Sequence, residues 1–260
     1  MRIIKNRWFH AKDKVVVFGD IHAKHHNQKA IDLCIKACKG FGVNKGVLQG
    51  DTFNSGQVSH YGFAHDESFR EDNNFIKGFN RQLKNAGIAP TVAGLGNHDG
   101  AWFEEWSKTH PGFTHEDLLP DLYNEWDVLP CGYFAEFNKN LVFTHGDALN
   151  GSCAANPAAS VLRHYPGLNV IFGHNHRLDM ARVTRPTHNG SRTTIAASVG
   201  CLASFDYERK NRALRVNSQR HSLGFGVVSL HKNDLFEITL GSILETNKGL
   251  VCLLAGELYT

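Results

Sequence analysis

No stretch of this 260-residue sequence approaches the ~20 consecutive apolar residues that a membrane-crossing helix needs, the best run being Gly249 to Gly256. The opening MRIIKNRWFH carries cations but no uninterrupted apolar core of the kind a secretory signal requires, because Arg7 breaks the run. A glycine-rich phosphate cradle of the GxxxxGKS/T type is missing, which argues against nucleotide-driven work. Paired Cys-x-x-Cys spacing is missing too. The six cysteines, Cys34, Cys38, Cys131, Cys153, Cys201 and Cys252, are scattered, so they read as reduced, mostly buried thiols rather than a zinc knuckle or a redox pair. Internal repeats, low-complexity tracts and linkers rich in Pro, Gly or Ser are also lacking. These absences predict a cytoplasmic protein with no membrane partner, built as a single domain over residues 1–260.

What is present is the composition of an ordinary globular chain, 42% hydrophobic and 20% charged, far from the mixture that stays disordered. Net charge is only +3 but uneven. The segment Arg177 to Arg220 holds Arg182, Arg185, Arg192, Arg209, Lys210, Arg212 and Arg215 besides its two ends, against Asp179, Asp206 and Glu208. Such a segment is either a solvated face or a surface for an anionic substrate.

Short apolar, β-branched runs recur and stop at glycine or polar turns: Lys14-VVVF-Gly19, Gly46-VLQ-Gly50, Pro90-TVAGL-Gly96, Asn140-LVFT-His145 and Leu168-NVIF-Gly173. They are too short for helices and too continuous for strands with one wet face, so they predict buried strands. Helical patterns fall between them, over Gln28 to Lys39, Glu71 to Ala86, Trp102 to Lys108 and Pro157 to Tyr165. After Thr193 the runs TTIAAS, FGVVSL, LFEITL and GLVCLL predict antiparallel sheet, expected to pack as a second sheet against the first. The class is α/β.

In open α/β sheets ligands bind beyond the carboxyl ends of the strands, where loops converge on a rigid base. This sequence places metal-ligating residue types at each such end: Gly19-Asp20-Ile21-His22, Gly50-Asp51, Gly96-Asn97-His98-Asp99, His145-Gly146-Asp147 and Gly173-His174-Asn175-His176. One Gly-Asp or one histidine would be a turn or a satisfied core residue. Five successive strand ends, each with oxygen or imidazole donors and a glycine, are hard to obtain from packing alone.

The order D-x-H, G-D-x-x-N, G-N-H-D, H-G-D, G-H-x-H resembles the calcineurin-like metallophosphoesterase family, over Gly19 to His176 and more weakly beyond. The resemblance implies two stacked mixed β-sheets flanked by helices, a four-layer α/β/β/α sandwich with a dinuclear metal centre at one edge. It gives Asp20, His22, Asp51 and His176 to one ion and Asp51, Asn97, His145 and His174 to the other, with Asp51 bridging. His98 is placed toward the substrate as proton donor to the leaving oxygen, and Asp99 is expected to orient its imidazole and favour the protonated form. Asn54 stands where the family often has Asp. Asp147 either reaches a metal-bound water or turns the chain.

Two divalent ions are implied, Mn²⁺ favoured over Fe²⁺ or Zn²⁺. The implied function is hydrolysis of phosphate esters, with diesters or nucleic acid slightly ahead of a phosphomonoester on a small molecule, nucleotide or phosphoprotein. A non-catalytic metal-binding scaffold is the distant alternative, since no ligand is missing. Three loops are candidates for selecting the substrate: Asn54 to Arg70, with His60, Tyr61, Phe63, His65 and Phe69; Gly100 to Glu116, with Trp102, Phe103 and Trp106; and the basic segment after His176, with Arg209-Lys210-Asn211-Arg212. Core and solvated face are the plainer readings of the same residues. Oligomeric state has no signature.

Overall fold

The run Val15-Val16-Val17-Phe18 has no wet face because both of its faces are covered. Val16 and Phe18 point into one apolar cluster and Val15 and Val17 into another, the alternation a strand imposes on successive side chains. Each fully buried Val or Phe contributes about 1.5–3 kcal/mol relative to exposure, so such a strand is placed centrally by its own composition. The computed structural model describes residues 3–5, 7–59, 68–188, 190–204 and 221–260.

In chain order the described elements are β1 (Lys14–Phe18), α1 (Gln28–Phe41), β2 (Lys45–Leu48), α2 (Phe69–Asn85), β3 (Ala89–Gly94), α3 (Trp102–Ser107), α4 (His115–Leu118), α5 (Pro120–Tyr123), β4 (Asp127–Leu129), β5 (Ala135–Asn138), β6 (Leu141–Phe143), α6 (Pro157–His164), β7 (Val170–Phe172), β8 (Leu178–Thr187), β9 (Gly190–Val199), β10 (Gly224–Leu230), β11 (Phe236–Thr246), β12 (Gly249–Leu254) and β13 (Glu257–Tyr259).

They form an eight-stranded sheet, β13-β12-β11-β10-β1-β2-β3-β4, and a five-stranded sheet, β5-β6-β7-β9-β8. Both are mixed: β1 to β4 run parallel, as do β6, β7 and β9, while β10 to β13, β5 and β8 pair antiparallel. One apolar cluster lies between α1, α2 and the larger sheet, a second between the sheets, and a third between α6 and the smaller sheet. The fold is a four-layer α/β/β/α sandwich of two stacked mixed sheets.

Helix α1 shows why the outer layers form. Asn27 caps it, its Oδ1 accepting from the Ala30 N–H at 3.1 Å, and Gly42 at φ 76° ends it in left-handed backbone. Between the caps, Ala30, Ile31, Cys34, Ala37 and Cys38 recur at helical spacing and are all buried.

The expected division of strands between the sheets is corrected. Strands β6 and β7 leave the sheet of β1 to β3 and join β9 in the smaller one, whereas FGVVSL, LFEITL and GLVCLL extend the larger sheet through β10, which pairs antiparallel with β1 from Lys14↔Ser229 to Val17↔Gly226. Apolar alternation declares a strand but not its neighbour. The consequence is that the carboxyl ends of β1, β2 and β3 in one sheet and of β6 and β7 in the other carry the five motifs to a common edge.

A candidate dinuclear metal centre

At that edge seven side chains from five loops meet. Asp20, His22 and His176 offer ligand atoms that all lie within 4.8 Å of one another, and so do Asp51, His145 and His174. His176 Nε2 is 3.3 Å from Asp20 Oδ1 and 3.2 Å from His22 Nε2. His145 Nε2 is 3.3 Å from Asp51 Oδ2 and 3.2 Å from Asn97 Oδ1, which brings the amide to the second group.

The backbone is bent to achieve this. Five of the seven residues, Asp20, His22, Asp51, His174 and His176, have φ between 50° and 70°, a left-handed conformation that costs a non-glycine residue about 1–3 kcal/mol. Hydrogen bonds between neighbouring loops hold it: Asp20 N–H to Gly50 O at 3.2 Å, His22 N–H to Asp51 O at 2.9 Å, and Gly173 N–H to His145 O at 2.8 Å. The crowding leaves no room for a side chain at Gly96, where a Cβ would come within 2.3 Å of the Asp51 carboxylate. Gly50, at φ 122°, is needed on both counts, since a Cβ there would lie 2.6 Å from His145 Nδ1.

The electrostatics suit cations. Burial opposes charge on Asp20 and Asp51, but His176 beside the former, and His145 and His98 beside the latter, outweigh it, so Asp20 is held below and Asp51 well below the usual carboxylate range. Burial, then the neighbouring His98, pushes His22 down to about 3, leaving the neutral imidazole a metal requires. Burial also opposes charge on His145, yet Asp51 pushes it up to about 10, a proton standing where a metal would serve. Asp20 Oδ1 and His145 Nδ1 are buried without a hydrogen bond. Buried carboxylates and orphaned donor atoms fit a pair of divalent ions.

Asp99 does something other than expected. Its buried carboxylate accepts backbone N–H bonds from Gly96 at 2.6 Å, Thr52 at 2.7 Å, Asp51 at 3.3 Å and Phe53 at 3.4 Å, tying the second and third ligand loops together. Burial and the nearby Asp51 raise it to about 7. The His98 imidazole instead places Nδ1 3.3 Å from the carbonyl of Asn54 and Nε2 4.0 Å from Asp51 Oδ2. Burial holds His98 below its ordinary pKa, only partly offset by Asp51, and the partners of its ring are Asn54 and Asp51, while the described bonds of the Asp99 carboxylate go to the backbone of the two loops. The physical reason is local geometry: Asn97–Ala101 is one π-helical turn, which turns Asp99 back over the N–H groups beside it. Asp147 accepts from the Cys131 thiol at 3.6 Å.

Three residues that are not among the expected ligands help build the site. Gln49, fully buried at the end of β2, sends Nε2 across to the Ile171 carbonyl of β7 at 2.7 Å, and its own carbonyl accepts from the Tyr133 hydroxyl at 2.7 Å. A lone amide closing an apolar run was the available signal. Asn175 and Arg177 alternate with the histidine pair, the former donating to Ser152 O and the latter to Ala154 O, so they fasten the loop after β6.

The three candidate specificity loops are placed in part. Trp102 and Phe103 are largely buried, Trp102 against His98 at 4.0 Å between ring centroids and Phe103 against His115 at 4.9 Å. Arg185 and Arg192 donate to the carbonyls of Leu162 and Gly167. His60, Tyr61, Phe63 and His65, like Arg209, Lys210, Asn211, Arg212 and Arg215, lie outside the described residues. All six cysteines are free thiols, four of them buried. No described helix is long and apolar enough to cross a membrane.

No protein-family model matches the sequence, and no curated protein does. Among solved structures, the chain is similar to Vacuolar Protein Sorting 29 from Cryptosporidium parvum, at 13% identity and a TM-score of 0.48, covering 95% of this chain and 98% of that one. It is also similar to the phosphoesterase YfcE from E. coli (14%, TM-score 0.41, 91% and 96%) and to a dimetal phosphatase from Danio rerio (12%, TM-score 0.40, 89% and 96%). What this chain does is decided by its own side chains.

Proposed function

We propose that the chain is a hydrolase of phosphate esters that works with two divalent metal ions. The observation that supports this best is the convergence of Asp20, His22 and His176, and of Asp51, His145 and His174, into two adjacent buried donor groups, with Asn97 beside the second. Asp51 is the bridge in this reading, because a carboxylate's two oxygens can face different ions, and neutral Asn97 limits the negative charge. Bound there, two ions would supply Lewis acidity for activating water and for neutralising charge on the phosphate. Oxygen and imidazole donors with one amide suit Mn²⁺, Fe²⁺ and Zn²⁺ alike, and Mn²⁺ is the ion favoured in this reading.

The chain's own groups do the rest. His98, its Nε2 4.0 Å from Asp51 Oδ2 and its side chain 18% exposed, is the group that in this reading hands a proton to the leaving oxygen. Its ring is kept in place by the Asn54 carbonyl and the face of Trp102. Asp99 holds the Asp51 and Asn97 loops at their spacing. With all seven ligand residues present and together, a scaffold that merely kept the fold is disfavoured.

Among phosphate esters, diesters including nucleic acid stand slightly ahead. Beyond Trp102, the rings of Phe69, Phe103, Trp106 and Phe113 form a connected aromatic group suited to stacking a base of the leaving arm. A phosphomonoester of a small molecule, nucleotide or phosphoprotein is the second reading, favoured by exposed Glu104 and Glu105 on the same helix, which a polyanionic backbone would meet.

A panel of p-nitrophenyl phosphate, its bis-ester, and single- and double-stranded DNA and RNA tests both levels. The Mn²⁺-loaded protein should cleave at least one of them, lose that activity to a chelator and regain it with Mn²⁺. Failure to bind any transition metal, or to cleave any phosphate ester once loaded, overturns the proposal; a strong preference for the monoester with nucleic acids left intact reverses the order of the two readings.

A further inference from the structure

A histidine without a motif stands at the metal edge. The ring of His221 lies 4.9 Å from that of His176, which lies 5.1 Å from His22, which lies 4.8 Å from His98. Four imidazoles thus follow one another in contact. The inner two, His22 and His176, belong to the first donor group, and His98 adjoins one of them and His221 the other.

The position of His221 is set by backbone on both sides of its neighbour. Ser222 N–H donates to His176 O at 2.8 Å, Ser222 O accepts from Cys201 N–H at 3.0 Å, and Gly224 N–H returns to Cys201 O at 3.0 Å. The stretch after β9 is in turn bound to the first ligand loop, Leu202 N–H donating to Asp20 O at 3.2 Å. His221 therefore rides on the same hydrogen-bonded frame as Asp20 and His176, and it is half-buried.

The described cations nearest these ligands in sequence are engaged elsewhere. Lys24 sits 3.9 Å from Glu71, and the guanidinium of Arg177 is turned to the carbonyls of Ala154 and Ala155. A phosphate seated on the ions would still present oxygen to the protein, and imidazole N–H is a donor that the described residues of this edge offer; a histidine supplies one whether neutral or charged.

Resting on the hydrolase reading above, we infer that His221 is a phosphate-binding residue, donating a ring N–H to a non-bridging oxygen on the His176 side of the site. It makes this contact in substrate and product alike, whereas His98 acts on the leaving oxygen. Inorganic phosphate is the probe. Mn²⁺-loaded wild type, His221→Ala, His221→Gln and His98→Ala are compared by metal content, thermal unfolding and calorimetric titration with phosphate.

His221→Ala should keep its metal content and melting temperature and bind phosphate about 10-fold more weakly, the loss of one charge-assisted hydrogen bond. His221→Gln, which keeps an N–H, should recover part of that, and His98→Ala should lose turnover with a smaller change in phosphate affinity. Unchanged phosphate binding in His221→Ala overturns the inference, and so does loss of metal from that variant, which would make the ring a support for His176. A wild type that takes up no metal is a different failure, that of the hydrolase reading itself.

Discussion

The two sheets contribute unlike halves to the metal edge. The larger supplies Asp20, His22, Asp51 and Asn97, three oxygen donors and one imidazole; the smaller supplies only imidazole, from His145, His174 and His176. Each donor group takes its carboxylate from one sheet and two of its members, or one, from the other, so neither sheet holds a complete site. Negative charge is concentrated on one wall and neutral, directional donors on the other. The centre is therefore a property of the spacing between the sheets, and the buried cross-sheet contacts matter as much as the ligands.

The largest expected break in this arrangement is on the acidic wall. Asp51→Asn keeps the size of the side chain but removes the charge that the proposed reading shares between the two groups, and it should lower turnover on the order of 10³-fold or more while reducing bound Mn²⁺. Full activity with full metal content would show that Asp51 does not bridge.

A smaller break tests the spacing itself. Gln49→Leu removes the amide bond from β2 to β7 without exposing anything, and the Ile171 carbonyl keeps the Thr144 N–H as a partner at 3.3 Å. Metal affinity should fall by roughly 10-fold, as for other groups that orient ligands from behind, with at most about 1 kcal/mol lost in denaturant unfolding. Equal losses of both would make Gln49 an ordinary core residue.

The smallest effect contrasts the two ends of β1. Asp20, at the carboxyl end, keeps an oxygen without a hydrogen bond, whereas Asp13, at the amino end, is fully engaged by the His10 N–H at 2.7 Å, the Asn44 amide at 2.9 Å and Lys45 at 3.0 Å. Burial works against its charge, yet these partners hold the Asp13 carboxyl below its ordinary 3.8. A depressed folded pKa gives stability that is present above 3.8 and lost as pH falls through the folded value. Asp13→Asn should flatten that acid limb in a pH series of chemical denaturation and leave metal uptake alone. An unchanged limb would remove Asp13 from the account.

Much of this edge was legible in the sequence because five strand ends each declared a donor within three residues of an apolar run. Helices were legible for the same reason of period, Gln28 to Lys39 predicted against Gln28–Phe41 observed. Pairing was not. Strand β10 reaches β1 across more than 200 residues, and nothing in FGVVSL says which sheet it enters. The role of Asp99 was hidden because three of the four N–H groups it accepts from belong to Asp51 to Phe53, far away in the chain. His221 and Gln49 sit in no motif, and only the meeting of distant backbone segments gives either a place.

Left-handed backbone at five ligand positions carries a consequence for assembly. None of those residues would choose that conformation in a free chain, and the backbone of each is held by a hydrogen bond to another loop. An unfolded or half-folded chain consequently offers no partial version of the site for an ion to organise. Metal uptake is expected to follow folding instead of driving it, and the ions would enter a mould whose shape was already set by the sheets beneath.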